Sequence, residues 1–175
     1  MGTDKARLLV EGQPLVLRVA ERVAEAARPM LLASGTPGRL GPLPYAEVAD
    51  EVPGSGPLGG LTAGLAASPH QLVAVVAVDM PFASPQVLSL LCTLRRDEDA
   101  VVPVTDRGPE PLHAVYARDA LPALRRALEE GRWTLREVVE GMHARFVPPA
   151  EWREADPSAH FALNLNRAGD LALLR

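Results

Sequence analysis

Two kinds of hydrophobic pattern alternate along the chain, one typical of helices and one typical of strands. Residues 15–27 (LVLRVAERVAEAA) place apolar side chains every three to four positions with charges between them, which predicts an amphipathic helix that starts after Pro14 and ends before Pro29. Residues 30–34 (MLLAS) and 72–78 (LVAVVAV) are continuous apolar runs bounded by turn residues, which predicts buried strands. These signals predict a domain in which helices alternate with strands.

The remaining predicted elements continue this alternation. Further strands are expected at residues 46–50, 99–105, 112–117, 144–147 and 161–165, and further helices at residues 58–67, 85–96, 119–130, 134–141 and 168–174. Strands that alternate with helices predict an α/β fold of three layers, α/β/α, around a mostly parallel sheet. Ligands of such folds bind beyond the carboxyl ends of the strands.

The composition fits a single domain over residues 1–175. Hydrophobic residues make up 47% and charged residues 23% of the chain, close to the globular average, which argues against a disordered or fibrous protein. The longest apolar run, at residues 71–78, is far shorter than the ~20 residues of a membrane-spanning helix, and we expect a cytoplasmic protein. The net charge of -4 and the aromatic content of 4% argue against nucleic acid as a partner.

Rare residue types mark three positions. Lys5 is the single lysine among 18 lysines and arginines, and asparagine occurs only at Asn164 and Asn166. Two interpretations are open, specific chemistry at these positions or chance survival on the surface. The single cysteine, Cys92, excludes a disulfide within the chain. The four histidines are not spaced as metal ligands on a helix, so each is interpreted as a surface or structural residue.

Two aspartates follow predicted strands. Asp79 ends the run at 72–78 and precedes Met80, so its carboxylate is expected at the carboxyl edge of the sheet, where a ligand would bind. A carboxylate there suits Mg²⁺, which combines one or two carboxylates with water and substrate phosphates. An aspartate in a turn or helix cap is the alternative. For Asp50 the turn interpretation is stronger, because the surrounding VADEVPG is ordinary turn composition.

Glycines surround the entry to the helix predicted at 58–67. They are Gly54, Gly56, Gly59 and Gly60. The free backbone amides and the positive dipole end of a helix can hold an anion, although no Walker lysine accompanies them and such turns are commonly only turns. Ser55 in PGSGP does not form a nucleophile elbow, because the first glycine of that motif is missing and Pro57 follows, which argues against a hydrolase.

Six segments in this order together resemble the molybdenum cofactor guanylyltransferases, the family of molybdopterin-guanine dinucleotide biosynthesis protein A. They are MG-x-DKA, an aspartate after a strand, GPLGGL, VDMPF, PLHAVY and LNLNRAGDL, and they span essentially the whole chain. VDMPF is shared with many nucleotidyltransferases, whereas the combination is more specific. The resemblance implies a Rossmann-like nucleotide-diphospho-sugar transferase fold. It also implies transfer of GMP from GTP to molybdenum-molybdopterin, with Mg²⁺ as cofactor and pyrophosphate as the second product.

The resemblance also implies roles for individual residues. Lys5 would contact the nucleotide phosphates and Asp79 would hold the magnesium ion, and these two are the implied catalytic residues. The implied nucleotide site consists of Lys5, Asp50, Gly56, Pro57, Gly59, Gly60 and Asp79, and Asn164 and Asn166 would border the pterin. Both asparagines would share one face if their segment is extended. The implied partners are GTP, molybdopterin, molybdenum-insertion proteins and recipient molybdoenzymes.

The sequence departs from the family pattern at its beginning. The family has a strand and an L-A-G-G loop before the R-M-G-x-D-K motif, and this sequence begins at the methionine of that motif. We therefore expect neighbouring strands with unpaired backbone groups around an apolar slot, and about 15 to 20 upstream codons that encode the strand and loop. Ala33 and Ser34 stand where the family usually has asparagine, and Arg132 and Arg136 have no assigned role.

Two other functions stay open from the sequence alone. A related cytidylyltransferase or sugar-phosphate nucleotidyltransferase is one, because the loop that selects the base is not in the sequence. A remnant without catalytic activity, which binds pterin or a partner protein, is the other.

Overall fold

Helices and strands alternate in the computed structural model, which describes residues 5–132 and 134–165. The helices are α1 (Leu15–Val23), α2 (Gly56–Ala67), α3 (Pro85–Leu94), α4 (Leu121–Glu129), α5 (Leu135–Glu140) and α6 (Pro149–Trp152). The strands are β1 (Leu9–Val10), β2 (Gln13–Pro14), β3 (Leu31–Gly35), β4 (Ala46–Ala49), β5 (Leu72–Val76), β6 (Ala100–Thr105), β7 (Gly108–Pro109), β8 (His113–Ala117) and β9 (Ala144–Val147). This element order confirms the predicted α/β class.

The main sheet is mixed rather than mostly parallel. Strand β8 lies between β5 and β6 and runs antiparallel to both, whereas β9 pairs with β6 in parallel. The chain passes from β6 through β7 to β8 by short turns, and a parallel return would need a crossover of about a dozen residues, so β8 has to run antiparallel. Strands β3 and β4 pair in parallel beside this sheet.

Helices cover both faces of the main sheet. Successive residues of β6 point to opposite faces, so Val102 packs in the cluster with α2, α4 and α5 while Val101 packs in the cluster with α3 and Trp152. The three-layer arrangement follows from this alternation. In the part of the chain that the structure describes, none of the helices is long and apolar enough to cross a bilayer.

An apolar slot separates β3 from β5. Among the described residues, β3 pairs with β4 and β5 pairs with β8, and each strand leaves its other edge without a strand partner. A cavity of about 450 Å³, here called the central slot, lies between them and is bounded by α1 and α2. The run LVAVV of β5 is half-buried for this reason, although its composition is that of a strand covered on both faces. The structure thus has the apolar slot that the sequence leads us to expect.

The predicted strand at 161–165 is wrong. Residues His160–Ala162 form a 3-10 turn, and the chain then continues without pairing into the sheet as far as Leu165. The Phe161 ring is fully buried against Trp152, so this apolar side chain anchors a turn instead of a strand. The predicted helix at 168–174 lies outside the described residues.

Candidate active site

Asp79 lies in the turn after β5, at the carboxyl edge of the main sheet. Its Oδ2 atom lies 3.3 Å from the Nζ atom of Lys5, which belongs to the 3-10 turn Lys5–Arg7. Both side chains keep access to solvent, 22% for Asp79 and 40% for Lys5. An exposed pair of this kind contributes at most about 1 kcal/mol to stability, so little is lost when a ligand engages either group. The structure therefore brings the two predicted catalytic residues together.

Asn164 lies beside the Asp79 turn. The Leu165 N–H group donates to the backbone carbonyl oxygen of Asp79 at 2.8 Å, which holds this segment against the turn. The Oδ1 atom of Asn164 is buried and has no hydrogen-bond partner among the described residues. A buried oxygen without a partner is costly, so this position suits a donor group of a ligand. Asn166, the other predicted asparagine, lies outside the described residues.

Asp50 lies directly after β4 and faces the start of α2. Its backbone N–H group donates to the carbonyl oxygen of Gly35 at 3.2 Å. The Oδ1 atom of Asp50 is buried without a hydrogen-bond partner in the described part of the chain, and burial raises the pKa of this carboxyl group. Asp50 is therefore a hydrogen-bond acceptor that its own surroundings leave unsatisfied.

The predicted glycine-rich segment forms the first turn of α2. Gly56, Pro57 and Gly60 line the central slot together with Asp50. Gly59 is different, because it is buried and packs on Ser55, at a point where an added Cβ atom would lie 1.9 Å from the serine Oγ atom. The resemblance assigns Gly59 to the nucleotide site. In the structure Gly59 does not line the central slot but packs behind the residues that do.

The candidate site has two parts that meet at the central slot. Lys5, Asp79 and Asn164 form one part, and Asp50 with the start of α2 forms the other. Ala6 and Val78, the neighbours of Lys5 and Asp79 in sequence, line the same slot as Asp50. Most of the slot is apolar, so the polar chemistry of the site lies at its rim.

Glu110 is a second carboxylate near Asp79 that sequence reasoning missed. It is half-buried, and this burial raises the pKa of its carboxyl group against opposing effects from a backbone hydrogen bond at Leu112 and the charge of Arg136, with a smaller further increase from the charge of Asp79. The Arg136 guanidinium donates to the backbone carbonyl oxygens of Arg107 at 3.3 Å and Pro109 at 2.9 Å, and so holds the turn that precedes Glu110. The available signal was its position directly before the PLHAVY segment.

His113 is a fully buried histidine at the start of β8. Its Nε2 atom accepts a hydrogen bond from the Ser84 N–H group at 3.0 Å, which requires a neutral ring with its proton on Nδ1, and the buried Nδ1 atom has no hydrogen-bond partner among the described residues. Burial lowers the pKa of His113 to about 4, against weaker opposing effects from a backbone hydrogen bond and from the charge of Asp156. The interpretation of this histidine as structural therefore fits its environment.

Acid is expected to destabilise the protein through His113. The folded pKa of about 4 lies below the ordinary value of 6.5, so the unfolded chain binds more protons between these values and stability falls as the pH falls. By linkage, this group alone removes about 2 kcal/mol from the free energy of unfolding between about pH 7 and pH 5. Urea denaturation at both pH values measures the loss. In His113→Gln the loss should shrink by about this amount, and an equal loss in both proteins would contradict the assignment.

Comparisons with known proteins place the whole chain in one family. Residues 1–146 match the family described as MobA-like NTP transferase domain. A probable molybdenum cofactor guanylyltransferase of Chloroflexus aggregans is 37% identical over 99% of this chain and 86% of the relative. A molybdenum cofactor guanylyltransferase of Desulfosudis oleivorans is 30% identical over 97% of this chain and 85% of the relative.

Solved structures show the same architecture. Molybdopterin-guanine dinucleotide biosynthesis protein A from Archaeoglobus fulgidus superimposes with a TM-score of 0.86 at 26% identity, over 98% of this chain and 89% of that chain. The 2-C-methyl-D-erythritol 4-phosphate cytidylyltransferase from Thermus thermophilus superimposes with a TM-score of 0.68 at 20% identity, over 97% of this chain and 91% of that chain. The second likeness concerns the fold alone.

Proposed function

Because this chain belongs to the MobA-like NTP transferase family, it is a nucleotidyltransferase, and we propose that it transfers GMP from GTP to molybdopterin that carries molybdenum. The products would be the guanine dinucleotide form of the cofactor and pyrophosphate. The observation that carries this proposal is the 37% identity, over nearly the full chain, to a relative named for this activity. Molybdenum-insertion proteins and recipient molybdoenzymes would be its protein partners.

Lys5, Asp79 and Asn164 are the residues that we propose for the phosphate and pterin side of the reaction. A phosphate oxygen of the pterin attacks the α-phosphorus of GTP. The bond from this phosphorus to the oxygen that bridges to the β-phosphate breaks, and pyrophosphate leaves with the electron pair. The Lys5 ammonium group offsets the negative charge of the triphosphate. The attacking phosphate is already ionised, so catalysis consists mainly of positioning and charge stabilisation rather than proton removal.

The residues at the Asp79 turn fit a Mg²⁺ ion. Mg²⁺ binds one or two carboxylates and takes its other ligands from water and substrate phosphates. The partly exposed carboxylate of Asp79, in the turn after β5, can supply one such ligand and leaves room for water and phosphate oxygens. We propose Asp79 as the protein ligand. When bound, the ion would withdraw charge from the triphosphate.

We propose that Asp50 recognises the guanine base. Guanine presents two adjacent donors, the N1–H and 2-amino groups, and the buried Oδ1 atom of Asp50 is an acceptor that lacks a partner in the described part of the chain. Cytosine presents its N3 and O2 acceptors beside a single amino group and matches a carboxylate less well. A site built around an unpaired acceptor discriminates strongly against a ligand that cannot donate to it. This chemistry supports GTP over CTP.

Pyrophosphate release measures the proposed reaction. Purified protein with GTP, molybdopterin and Mg²⁺ should release pyrophosphate, and omission of any one component should abolish the signal. CTP in place of GTP should lower kcat/KM at least about 100-fold, which is the discrimination that unpaired buried groups can give. Equal rates with both nucleotides would favour a nucleotidyltransferase of other base specificity. A folded protein that binds molybdopterin without turnover would favour a binding role.

Asn164→Ala is expected to weaken binding of the pterin substrate and to leave binding of the nucleotide almost unchanged. Loss of a buried hydrogen-bonding group costs about 1 to 3 kcal/mol, so the KM for molybdopterin should rise about 10-fold while the Kd for GTP changes less than about 3-fold. Gln71→Ala is the matched control, because it removes an exposed carboxamide at the opposite edge of the sheet. Isothermal titration with GTP and steady-state kinetics with molybdopterin separate the two effects. A larger loss for GTP would place Asn164 on the nucleotide side.

A further inference from the structure

His113 contacts both chain segments that bring the proposed phosphate and pterin residues together. It is the first residue of β8 and pairs with Val76, the last residue of β5. The neighbouring Leu112 carbonyl oxygen accepts a hydrogen bond from the Ala77 N–H group at 2.9 Å. The backbone at 112–113 therefore holds the point where the chain leaves β5 and enters the turn that carries Asp79.

The imidazole holds the other end of this turn. The Nε2 atom of His113 accepts the Ser84 N–H group at 3.0 Å in a buried hydrogen bond, and Ser84 caps α3 through its Oγ atom, which accepts the Val87 N–H group at 3.3 Å. Between these ends, the Met80 N–H group bonds to the Ala77 carbonyl oxygen and the Ala83 N–H group to the Met80 carbonyl oxygen. His113 and the backbone of the neighbouring Leu112 thus hold both ends of the Asp79 turn.

The imidazole ring also contacts the segment that leads to Asn164. The ring centroids of His113 and Phe161 lie 4.6 Å apart, and Phe161 belongs to the 3-10 turn that precedes Asn164. One residue after Asn164, the Leu165 N–H group donates to the Asp79 carbonyl oxygen at 2.8 Å. The His113 side chain therefore contacts both the segment of Asp79 and the segment of Asn164, which are also joined by the contact between the Phe82 and His160 rings at 5.8 Å.

We propose that His113 is a positioning residue that sets the placement of Asp79 relative to Asn164. Because it is fully buried, it does not touch substrate. Its flat ring packs on Phe161 while its Nε2 atom satisfies a backbone donor. Phenylalanine would keep the packing and lose the acceptor, whereas the Oε1 atom of glutamine can replace the acceptor. The kinetic part of this inference rests on the proposed function, and the structural part does not.

Two variants separate positioning from general stability. His113→Phe should lower kcat/KM for molybdopterin at least about 10-fold at a temperature where circular dichroism shows the chain folded, with the Kd for GTP measured without metal changed less than about 3-fold. His113→Gln should keep kcat/KM within about 5-fold of the wild-type value. Two results would overturn the proposal. One is a decrease in kcat/KM that depends only on the decrease in melting temperature, in the same way in both variants. The other is a folded His113→Phe protein with wild-type kcat/KM.

Amide hydrogen exchange provides a readout that needs no activity. In His113→Phe the Ser84 and Leu165 amides should exchange at least about 10-fold faster than in the wild-type protein. The Ala117 amide, at the far end of β8 and bonded to the Asp99 carbonyl oxygen at 2.8 Å, should be unchanged. Unchanged exchange at Ser84 and Leu165, or equal acceleration at all three amides, would refute the positioning role. If the wild-type chain proved inactive, the proposed function would fail while this measurement still decided the role of His113.

Discussion

Asp79→Asn is expected to lower turnover about 1,000-fold while the fold stays intact. The substitution removes the carboxylate that we assign to the metal and leaves a side chain of nearly the same shape. Loss of a group that stabilises transition-state charge costs about 10²- to 10³-fold or more, and 1,000-fold corresponds to about 4 kcal/mol of activation free energy. Pyrophosphate release at limiting Mg²⁺ measures the loss.

The stability of this variant should change little. The carboxylate of Asp79 is partly exposed and pairs with the still more exposed Lys5, so the pair contributes at most about 1 kcal/mol. Asp97→Asn is the control, because Asp97 is an exposed carboxylate before β6, at the amino edge of the same sheet. It should keep full activity. Activity of Asp79→Asn equal to that of the control at limiting Mg²⁺ would refute the metal assignment.

The contact between Lys5 and Asp79 could not be predicted from the spacing of residues in the sequence. The strand that precedes Asp79 is evident from its apolar run, and this locates one carboxylate at a sheet edge. Nothing local in the sequence pairs Asp79 with Lys5, which is 74 positions away. That expectation came from the resemblance to a family, and the ion pair appears only in the folded chain.

Alternating hydrophobicity misled the prediction at the end of the described chain. Phe161, Leu163 and Leu165 alternate with other residues as in a strand with one buried face. In the structure Phe161 packs on aromatic rings, while Leu165 packs in a separate cluster with α1 residues. Tertiary contacts, not pairing in a sheet, explain the burial of both side chains.

The direction of β8 and the role of His113 could not be predicted from the sequence, because both depend on other segments of the folded chain. A run such as HAVYA predicts a strand but carries no information on its orientation, which the short turns from β6 decide. A single histidine likewise shows no spacing signal. Its importance comes from Ser84 and Phe161, which approach it from distant parts of the sequence.

Gly59→Ala and Gly64→Ala are expected to change stability in opposite directions, although both glycines lie in α2. An added Cβ atom at Gly59 would lie 1.9 Å from the Ser55 Oγ atom and 3.4 Å from the Asp50 Cγ atom, whereas at Gly64 it would meet no atom within 4 Å. The Ser55 hydroxyl is buried and donates to the Val52 carbonyl oxygen at 2.5 Å, so its displacement breaks a buried hydrogen bond.

Overpacking and the lost hydrogen bond together should destabilise Gly59→Ala by about 1 to 3 kcal/mol, and the shift of α2 against Asp50 should weaken GTP binding at least about 10-fold. Gly64→Ala should stabilise the protein by about 0.5 to 1 kcal/mol, because alanine restricts the unfolded chain and favours the helix. Urea denaturation and GTP titration measure both. Ser55→Ala combined with Gly59→Ala removes the closest clash and should recover the overpacking part of the loss but not the hydrogen bond to the Val52 carbonyl oxygen, since residues in contact are energetically coupled. If Gly59→Ala proved as stable as Gly64→Ala and bound GTP normally, the close packing between α2 and the Asp50 loop would not be what positions the nucleotide.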